Sequence, residues 1–444
     1  MYVQLPSVDV TVIICWNGLG VADDCVFDML SSWYSLKVDN TTVNANNSII
    51  NSSQSNFTAV ASSNNYYVSI YVNGTEVAPL TKGKAVYLKT LPAGLYKVTA
   101  HSNSSGILNV TYYERVLSST VSFSDFQEYQ ELNISNTQSS ATPSPFQQMI
   151  TVTSTDGSWT YINTSQTAAF GQNVEFFYAN GTVIPSWLES YTSSSAIWWV
   201  KVGSIPANSK ITIYMGLVNK TKNLFNTVND GEAPQLSSTY AEYDDGANVF
   251  NSYWNFNGTS LPTGWTSAGG YSGSVNNGLT LTSSSDWGGV SSGPINANPS
   301  IILDSYYIVT SAQAIITGFS TSTSFSSIYS YYNSYQYDAG SGSSYTGTGI
   351  GEGSSSAQTS IVSGTLPIAA NSNYNVYSAI FNSSGVAFKQ DYEQVDSGSS
   401  TYLSSASYVF ISDYSGAVMN IKWLRTRAYP PNGIMPSITF GSVS

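Results

Sequence analysis

The stretch that decides the fold reads Ala196-Ile-Trp-Trp-Val-Lys-Val202, then Pro206-Ala-Asn-Ser209, then Lys210-Ile-Thr-Ile-Tyr-Met215. Both outer runs are short and rich in β-branched and aromatic residues, which favours strands, and the segment between them is a turn sequence. The pattern predicts two neighbouring antiparallel strands joined as a hairpin or meander.

The same pattern continues in both directions. Tyr67–Val72 is followed by Asn73-Gly74, a two-residue hairpin signal, and further short strands are predicted at Ala85–Lys89 and Leu95–Thr99. From about residue 246 the chain again alternates bulky and small residues, as in Asn375–Phe381. We predict an all-β protein of tandem antiparallel β-sandwich domains, the last one concanavalin-like or jelly-roll-like.

Domain boundaries are predicted from changes in composition. Residues 135–145 lack apolar periodicity and contain two prolines, so we expect a hydrated linker there. Residues 1–134 then form an N-terminal β-sandwich with an irregular start, where residues 23–33 are predicted to form one short helix. Residues 146–245 form a second β-domain, and residues 246–444 a concanavalin-like sandwich.

Composition narrows the class of protein. The chain has 444 residues, a net charge of −12 and only 9% charged residues, where about 25% is typical of soluble proteins. The low charge argues against a nucleic-acid partner, and 41% apolar residues argue against disorder. A surface of hydroxyls and amides keeps its hydration in acid, where carboxylates titrate. These features predict a folded protein exposed to an acidic exterior.

Two further features point outside the cell. Cys15 and Cys25 favour a disulfide within the irregular start over a pair of buried thiols. The chain has thirteen Asn-x-Ser/Thr sequons, most of them in its first half, and glycosylation of several of them is predicted. They are Asn40, Asn46, Asn51, Asn56, Asn73, Asn103, Asn109, Asn133, Asn163, Asn180, Asn219, Asn257 and Asn382.

Targeting segments are not evident in the sequence. The apolar run Val10–Trp16 is too short to span a bilayer, and no basic region precedes it. Either a signal peptide and anchor have been removed, or the protein leaves the cell inside an assembled particle, as virus structural proteins do. Met1 favours the second explanation.

Catalytic patterns are weak. Gly289-Val-Ser-Ser-Gly293 matches a serine-hydrolase motif, but the one histidine, His101, falls in another predicted domain. Asp391 and Glu393 are two residues apart, without the spacing of concanavalin-type glycosidases. We therefore predict no catalytic residues.

Carboxylates and aromatic residues are the remaining candidates for binding. Glu242, Asp244 and Asp245 stand beside Gly246 and could hold calcium, although solvated turn charges are the simpler interpretation, and no other cofactor is predicted. Aromatic rings stack on sugar faces, so glycan contacts are predicted for a set of residues in the last domain. The set is Trp265, Trp287, Tyr331, Tyr332 and Tyr335.

Two segments resemble known families. Val174–Trp187 and Trp198–Gly216, followed by Phe225, resemble domain of unknown function 2341, over roughly residues 146–250. That family is widespread in archaeal and bacterial surface proteins and has no established activity, so the resemblance implies no catalytic residue. The remainder is similar to the concanavalin or laminin-G type sandwich that often follows it. Such chains are typical of thermoacidophilic archaea and their viruses.

Together these features predict a non-enzymatic exterior protein. The leading hypothesis is a spike, turret or fibre component of an archaeal virion that binds host surface glycans or envelope, contacts other virion or surface subunits and forms a homo-oligomer. No nucleic acid and no membrane span are expected. The alternatives are a secreted or cell-surface glycoside hydrolase of the concanavalin type and a cell-surface adhesin.

Overall fold

The structure is a computed structural model. It describes residues 2–4, 11–13, 34–38, 41–42, 49–52, 56–61, 67–88, 94–102, 110–116, 120–153, 171–192, 194–295, 300–311, 314–320, 323, 332–338, 347–352, 359–360, 373–382, 385–398, 408–414, 416 and 418–444. The chain divides into two compact units, Met1–Val121 and Ser122–Ser444. No helix in these ranges is long and apolar enough to cross a membrane.

The described residues of the first unit form eleven strands. They are β1 (Tyr2–Gln4), β2 (Thr11–Ile13), β3 (Tyr34–Val38), β4 (Thr41–Thr42), β5 (Ile49–Ser52), β6 (Asn56–Ala61), β7 (Tyr67–Val72), β8 (Thr75–Lys82), β9 (Lys84–Leu88), β10 (Gly94–Ser102) and β11 (Val110–Val116). One sheet has the order β5-β11-β10-β7-β8 and a second the order β4-β3-β6-β9. The hairpin predicted at Asn73-Gly74 joins β7 to β8, with both turn residues at positive φ.

The second unit begins with a small sandwich. Its first strands are β12 (Glu128–Asn136), β13 (Phe146–Thr153), β14 (Val174–Phe177), β15 (Ser186–Tyr191), β16 (Ser195–Val202), β17 (Ser209–Leu217) and β18 (Asp230–Glu232). A short helix, α1 (Gly246–Val249), follows. The core between the two sheets holds inward-facing side chains such as Leu132, Phe176, Trp198 and Met215.

A large sandwich follows. Its strands are β19 (Ser252–Trp254), β20 (Thr266–Tyr271), β21 (Ser274–Val275), β22 (Leu279–Ser291), β23 (Ile301–Ser311), β24 (Ala314–Ser320), β25 (Tyr332–Asp338), β26 (Gly347–Glu352), β27 (Thr359–Ser360), β28 (Asn375–Asn382), β29 (Gly385–Gln390), β30 (Glu393–Gly398), β31 (Tyr408–Tyr414) and β32 (Val418–Ala428). The last strand, β33 (Ser437–Val443), returns to the small sandwich.

The small sandwich pairs β14-β17-β12-β33 in one sheet and β13-β16-β15-β18 in the other. The hairpin predicted between the two opening runs is therefore wrong, because β16 and β17 lie in different sheets. The Pro206–Ser209 segment carries the chain from one sheet to the other. An alternating apolar pattern identifies the inner face of each strand but not the sheet to which the strand belongs.

The large sandwich contains one long strand that serves two sheets. Leu279–Thr282 of β22 pairs with β32, and Trp287–Ser291 of the same strand pairs with β31. The sheet on the β32 side continues through β23, β28, β29 and β30, whereas the sheet on the β31 side continues through β24, β25, β26 and β27. The core between them is built from residues such as Leu281, Val290, Phe319 and Ile421. The predicted all-β, antiparallel, jelly-roll-like fold is confirmed.

The predicted domain boundaries need correction. Strand β12 begins inside the predicted N-terminal domain 1–134, yet it pairs along its whole length with β17 of the small sandwich. The predicted linker 135–145 therefore connects two sheets of the small sandwich, and the division between units lies at Val121 and Ser122. The segment 246–444 is not a separate body either, because β33 pairs with β12. The helix predicted at residues 23–33 lies outside the described residues.

Candidate functional site

The two sandwiches of the second unit meet at a buried ionic and aromatic contact, which we call the joint. It consists of Arg425, Arg427 and Asp304 from the large sandwich, Glu189 from the small one, and Tyr392 from the β29–β30 turn. A register shift in the β23–β32 ladder beside Tyr306 and Tyr307 lets strand β32 change faces. Met419 and Ile421 face the core of the large sandwich, whereas Trp423 packs on the small sandwich.

Arg425 is the centre of the joint and is 0% exposed. Its Nη2 donates to Glu189 Oε2 at 2.7 Å and its Nε donates to Asp304 Oδ2 at 3.0 Å. Arg427 Nε donates to the same Asp304 oxygen at 2.7 Å. The two guanidinium groups and two carboxylates therefore balance in charge, which is the condition under which buried ions are tolerated.

Aromatic rings enclose the Arg425 guanidinium. Its carbon lies 4.4 to 5.2 Å from the centroids of four rings, within the range of cation–π contacts. The rings are Trp187, Trp199, Phe250 and Trp423. Trp199 Nε1 also donates to Glu189 Oε2 at 2.7 Å, so the rings fix the carboxylate that holds the arginine.

The electrostatics of the joint favour the charged forms. Burial alone would raise the pKa of Asp304, but Arg427 and Arg425 lower that pKa to about 2. The Tyr392 hydroxyl donates to Glu189 and accepts from Arg425 Nη2 at 2.8 Å. Tyr392 reaches this position from a tight turn in which both Asp391 and Tyr392 have positive φ. A positive φ is strained for a tyrosine, so the hydrogen bonds of the Tyr392 hydroxyl with Glu189 and Arg425 offset the conformational energy of the turn.

The three predicted metal ligands have different surroundings. Glu242 is exposed. Asp244 is occupied by hydrogen bonds from Trp187 Nε1 at 2.9 Å, Tyr253 Oη at 2.8 Å, Asn255 Nδ2 at 2.7 Å and the Gly246 amide at 3.1 Å. No group of three or more His, Cys, Asp or Glu residues within the described ranges is arranged to hold a metal. The geometry does not support the calcium site.

Asp245 differs sharply from its neighbour. It is 1% exposed, and neither carboxylate oxygen has a hydrogen-bond partner among the described residues. Burial, then Asp244 and Asp230, raises the pKa of Asp245 well above its ordinary value. Burial and the nearby Glu175 raise the pKa of Asp230 well above its ordinary value. Burial and the nearby Asp125 raise the pKa of Glu175 to about 7. These residues form an acidic cluster that we call the carboxyl cluster: Glu175, Asp230 and Asp245.

The predicted glycan-stacking residues fall in different places. Trp265 is only 7% exposed and packs against Trp254 and Phe256 at 5.3 Å, so this prediction is corrected: its ring belongs to the core. Trp287 lies in β22 opposite Tyr414, and Tyr332 and Tyr335 lie in β25. The backbone thus places these three in one sheet, with β24 and β31 between their strands. Their side chains, and all of Tyr331, lie outside the described residues.

The weak catalytic motifs have structural roles. Ser291 is buried and its hydroxyl contacts Thr266 Oγ1 at 3.1 Å, in a strand rather than at a strand-to-helix turn. His101 packs its ring against Tyr71 at 4.4 Å. Asp391 Oδ1 accepts a hydrogen bond from the Val376 amide at 2.9 Å and so closes the turn that carries Tyr392.

The sequons separate into two groups by their surroundings. Exposed turns and loops carry Asn73, Asn180, Asn219 and Asn257. By contrast, Asn133 Nδ2 donates to Glu131 at 2.7 Å, and Asn382 Nδ2 donates to the Tyr429 hydroxyl at 3.2 Å. Asn51 and Asn56 lie in strands β5 and β6, where side chains are not described. Outside the described residues are Cys15, Cys25, Asn40, Asn46, Asn103, Asn109 and Asn163.

Sequence comparison matches one segment, which covers part of the small sandwich and the start of the large one, to a known family. Residues 170–268 match the family described as Domain of unknown function (DUF2341). The resemblance noted in the sequence is confirmed there, although the match begins later than residue 146 and runs past residue 250. It includes Trp187, Glu189 and Trp199, which form the small-sandwich side of the joint.

A viral protein is also similar in sequence. "Uncharacterized protein 562" of Sulfolobus islandicus rod-shaped virus 1 is 38% identical over 131 residues, which are 28% of this chain and 21% of that protein. The matched segment is thus about a fifth of the length of that relative.

Solved structures with some likeness include lectin domains and a glucanase. The Ca²⁺/Man-bound VIP36 exoplasmic/lumenal domain is 10% identical with a TM-score of 0.32, covering 41% of this chain and 92% of that one. A beta-1,3-glucanase from Mycobacterium marinum is 10% identical with a TM-score of 0.29, covering 40% and 98%. The metal-free Emp46p carbohydrate recognition domain is 9% identical with a TM-score of 0.29, covering 37% and 88%.

Proposed function

We propose that this chain is a non-enzymatic structural and attachment protein on the exterior of an archaeal virion, where it binds host surface glycans. The similarity to a protein of a rod-shaped virus supports the viral setting. The low charge and the exposed sequons on turns support an exterior setting.

The observation that carries the proposal is how the carboxylates are used. A glycoside hydrolase needs two carboxyl groups about 5 to 9.5 Å apart on either side of an open substrate site. Here Glu189 and Asp304 close around Arg425 in the joint, and Asp244 is saturated by four donors. These groups hold two sandwiches together, which favours a structural body over an enzyme.

Binding is assigned to the large sandwich. Strands β22 and β25 carry Trp287 and Tyr332 in one sheet, whereas Tyr335, three positions from Tyr332 in the same strand, belongs to the opposite face of that sheet. Four strands at about 4.8 Å spacing extend over roughly 14 Å, a span suited to a short oligosaccharide. Single stacked contacts are weak, so several copies of the chain on one particle provide the avidity.

The test uses the full chain displayed in many copies on beads and incubated with isolated envelopes of thermoacidophilic archaea. We expect binding that periodate oxidation of the envelope glycans abolishes, and no release of reducing ends from the envelope or from β-1,3-glucan. Binding unchanged by periodate would overturn the glycan assignment. Catalytic release of reducing ends would favour the glycoside hydrolase instead.

A further inference from the structure

The outer face of the small sandwich carries a pocket separate from the large sandwich. Its volume is about 380 Å³, and its walls include Phe123, Tyr129, Glu131, Tyr214, Ser442 and Ser444. This volume lies within the range of small-molecule sites. The pocket is therefore large enough to hold a ligand rather than a few water molecules.

The alternation of β12 turns two of these residues outward. Gln130 and Leu132 are buried, whereas Tyr129 and Glu131 are half-buried on the opposite face. On the neighbouring strand β17, Tyr214 lies directly opposite Glu131. Adjacent strands thus place a ring and a carboxylate side by side.

Three rings form the apolar wall. Phe123 contacts Tyr129 and Tyr214 at centroid distances of 4.7 and 4.8 Å, and the planes of Phe123 and Tyr214 meet at 89°. On the neighbouring strand β14, the buried Phe177 lies directly opposite Tyr214 and stacks on its ring at 5.6 Å. Packing on a buried ring holds Tyr214 in place, which lowers the entropy lost when a ligand binds.

Phe126 completes this support. The Phe126 ring stacks on Phe177 at a centroid distance of 4.7 Å. It also lies against Gly216, where the Cβ of any other residue would be 2.5 Å from the Phe126 ring. Gly216 is thus required for the aromatic layer beneath the pocket.

The polar wall is also held in place. Glu131 Oε1 accepts a hydrogen bond from Asn133 Nδ2 at 2.7 Å, and Asn133 Oδ1 accepts one from Thr212 at 3.0 Å. Glu131 lines the pocket, and its Oε2 accepts no hydrogen bond from the described residues. A carboxylate oxygen is a strong acceptor for hydroxyl donors.

The ligand must therefore have an apolar face and a hydroxyl-bearing edge. An anion is disfavoured by Glu131. An ammonium group would need to sit between ring faces, but the three centroids are only 4.7 to 6.2 Å apart, so the rings contact one another instead of forming a cage. A sugar ring meets both requirements, with its C–H face on the tyrosines and its hydroxyls at Glu131.

We propose that this pocket binds one neutral pyranose residue of a glycan, as a second contact in addition to that of the large sandwich. The inference rests on the proposed function in that it names a further sugar site on the same chain. It assigns Tyr129 and Tyr214 to stacking, and Glu131 to hydrogen bonding with sugar hydroxyls.

The experiment is saturation-transfer NMR and titration of the full chain with neutral trisaccharides of mannose, glucose and galactose, and with tetramethylammonium chloride. We expect transfer from tyrosine protons to sugar C–H groups with at least one trisaccharide. Glu131→Gln should weaken that affinity about tenfold, the effect of losing one charge-assisted hydrogen bond. Glu128→Gln, on the same strand but outside the pocket, should leave it unchanged.

Tyr214→Ala should weaken the affinity about fivefold to tenfold through lost stacking, whereas Tyr67→Ala in the first unit should not. If Tyr214→Ala unfolds the unit, the near-isosteric Glu131→Gln still decides. Equal affinity for wild type and Glu131→Gln would overturn the proposal, as would binding of tetramethylammonium with no binding of any trisaccharide. Trisaccharide binding without any envelope binding on beads would contradict the proposed function alone.

Discussion

The joint and the carboxyl cluster are two groups of buried carboxylates in one compact unit, and they respond to burial in opposite ways. In the joint, Arg425 and Arg427 lower the pKa of Asp304 to about 2. In the carboxyl cluster no arginine is among the causes of the shifts, and burial followed by neighbouring carboxylates raises the pKa of Glu175 to about 7 and that of Asp245 well above its ordinary value.

The difference shows that burial alone does not determine what a carboxylate does. A paired carboxylate contributes to stability in its charged form, whereas an unpaired one is favoured in its protonated form. The low overall charge does not mean that ion pairs are unimportant here. Three buried ion pairs centre on Arg425 and Asp304, although only 9% of the residues are charged.

The largest expected effect is that of Arg425→Met. Removing the guanidinium leaves Glu189 and Asp304 buried with less compensation, and we expect the free energy of unfolding to fall by about 3 to 5 kcal/mol. Urea unfolding followed by tryptophan fluorescence measures it. The matched control is Lys422→Met in the same strand, where a half-buried ammonium lies 5.3 Å from the Tyr240 ring centroid. Lys422→Met should lower the free energy of unfolding by about 0.5 to 1 kcal/mol. An equal decrease in the two variants would show that the buried contacts of Arg425 add no more stability than a half-buried lysine on the same strand.

The next effect separates two adjacent residues. Asp245→Asn at pH 7 should stabilise the protein by about 1 to 3 kcal/mol. Burial raises the pKa of Asp245, so this carboxyl group takes up a proton on folding, and a neutral amide avoids that cost. Asp244→Asn should destabilise it by a similar amount, because an amide nitrogen would face donors from Trp187, Tyr253 and Asn255. Thermal melts of the two variants at pH 7 should move in opposite directions. A shift of the same sign in both would show that Asp245 has a partner of its own.

The pH dependence combines both groups. Glu175 has a raised pKa, so its contribution to stability is fully present below the unfolded value of about 4.3 and is lost as pH rises through 7. Asp304 has a lowered pKa, so its contribution is present above about 3.9 and is lost as pH falls towards 2.

The free energy of unfolding should therefore be greatest near pH 4 to 5, where it exceeds the value at pH 7 by on the order of 1 kcal/mol. It should decrease again when the pH is lowered below about 3. Urea midpoints from pH 2 to pH 8 measure this curve. Glu175→Gln should reduce the rise in stability between pH 7 and pH 5, to which Asp230 and Asp245 also contribute, and should leave the fall in acid unchanged. A curve that falls steadily from pH 7 to pH 4 would contradict the raised pKa values.

The smallest expected effect is that of Tyr392→Phe. It removes the hydroxyl that contacts Glu189 and Arg425 while keeping the ring beside Trp199, and we expect a loss of about 1 kcal/mol. Chemical denaturation gives the value. Tyr374→Phe, whose ring lies on the large sandwich near Tyr306, is the control and should change less. If Tyr392→Phe is as stable as wild type, the Tyr392 hydroxyl contributes no stability, and the stability of the joint comes from its arginines and carboxylates.

Much of the fold could be predicted from the sequence. The sequence predicts strands where β7, β10, β16 and β17 form, and the predicted Asn73-Gly74 hairpin is present. The pairing of β12 with β33 could not be predicted, because it joins segments separated by about 300 residues and leaves no local signal. For the same reason the linker at 135–145 was placed between domains rather than between sheets.

The candidate sites were less predictable. Trp265 reads as a loop aromatic in sequence, and only the packing of Trp254 and Phe256 shows that it is core. The joint did leave a signal: Arg425 and Arg427 stand inside a strand with Trp423 and Leu424, in a chain with only 14 lysines and arginines. Arginines in an apolar strand indicate buried partners. Their partners Glu189 and Asp304 could not be identified without the fold.

The central claim is that the joint makes one cooperative body of the two sandwiches. Differential scanning calorimetry of the Ser122–Ser444 unit, with and without Arg425→Met, tests it most directly. The wild-type unit should unfold in one transition whose calorimetric and van 't Hoff enthalpies agree, and Arg425→Met should lower its midpoint or split it in two. Two separate transitions in the wild type, or an unchanged midpoint in the variant, would contradict the account.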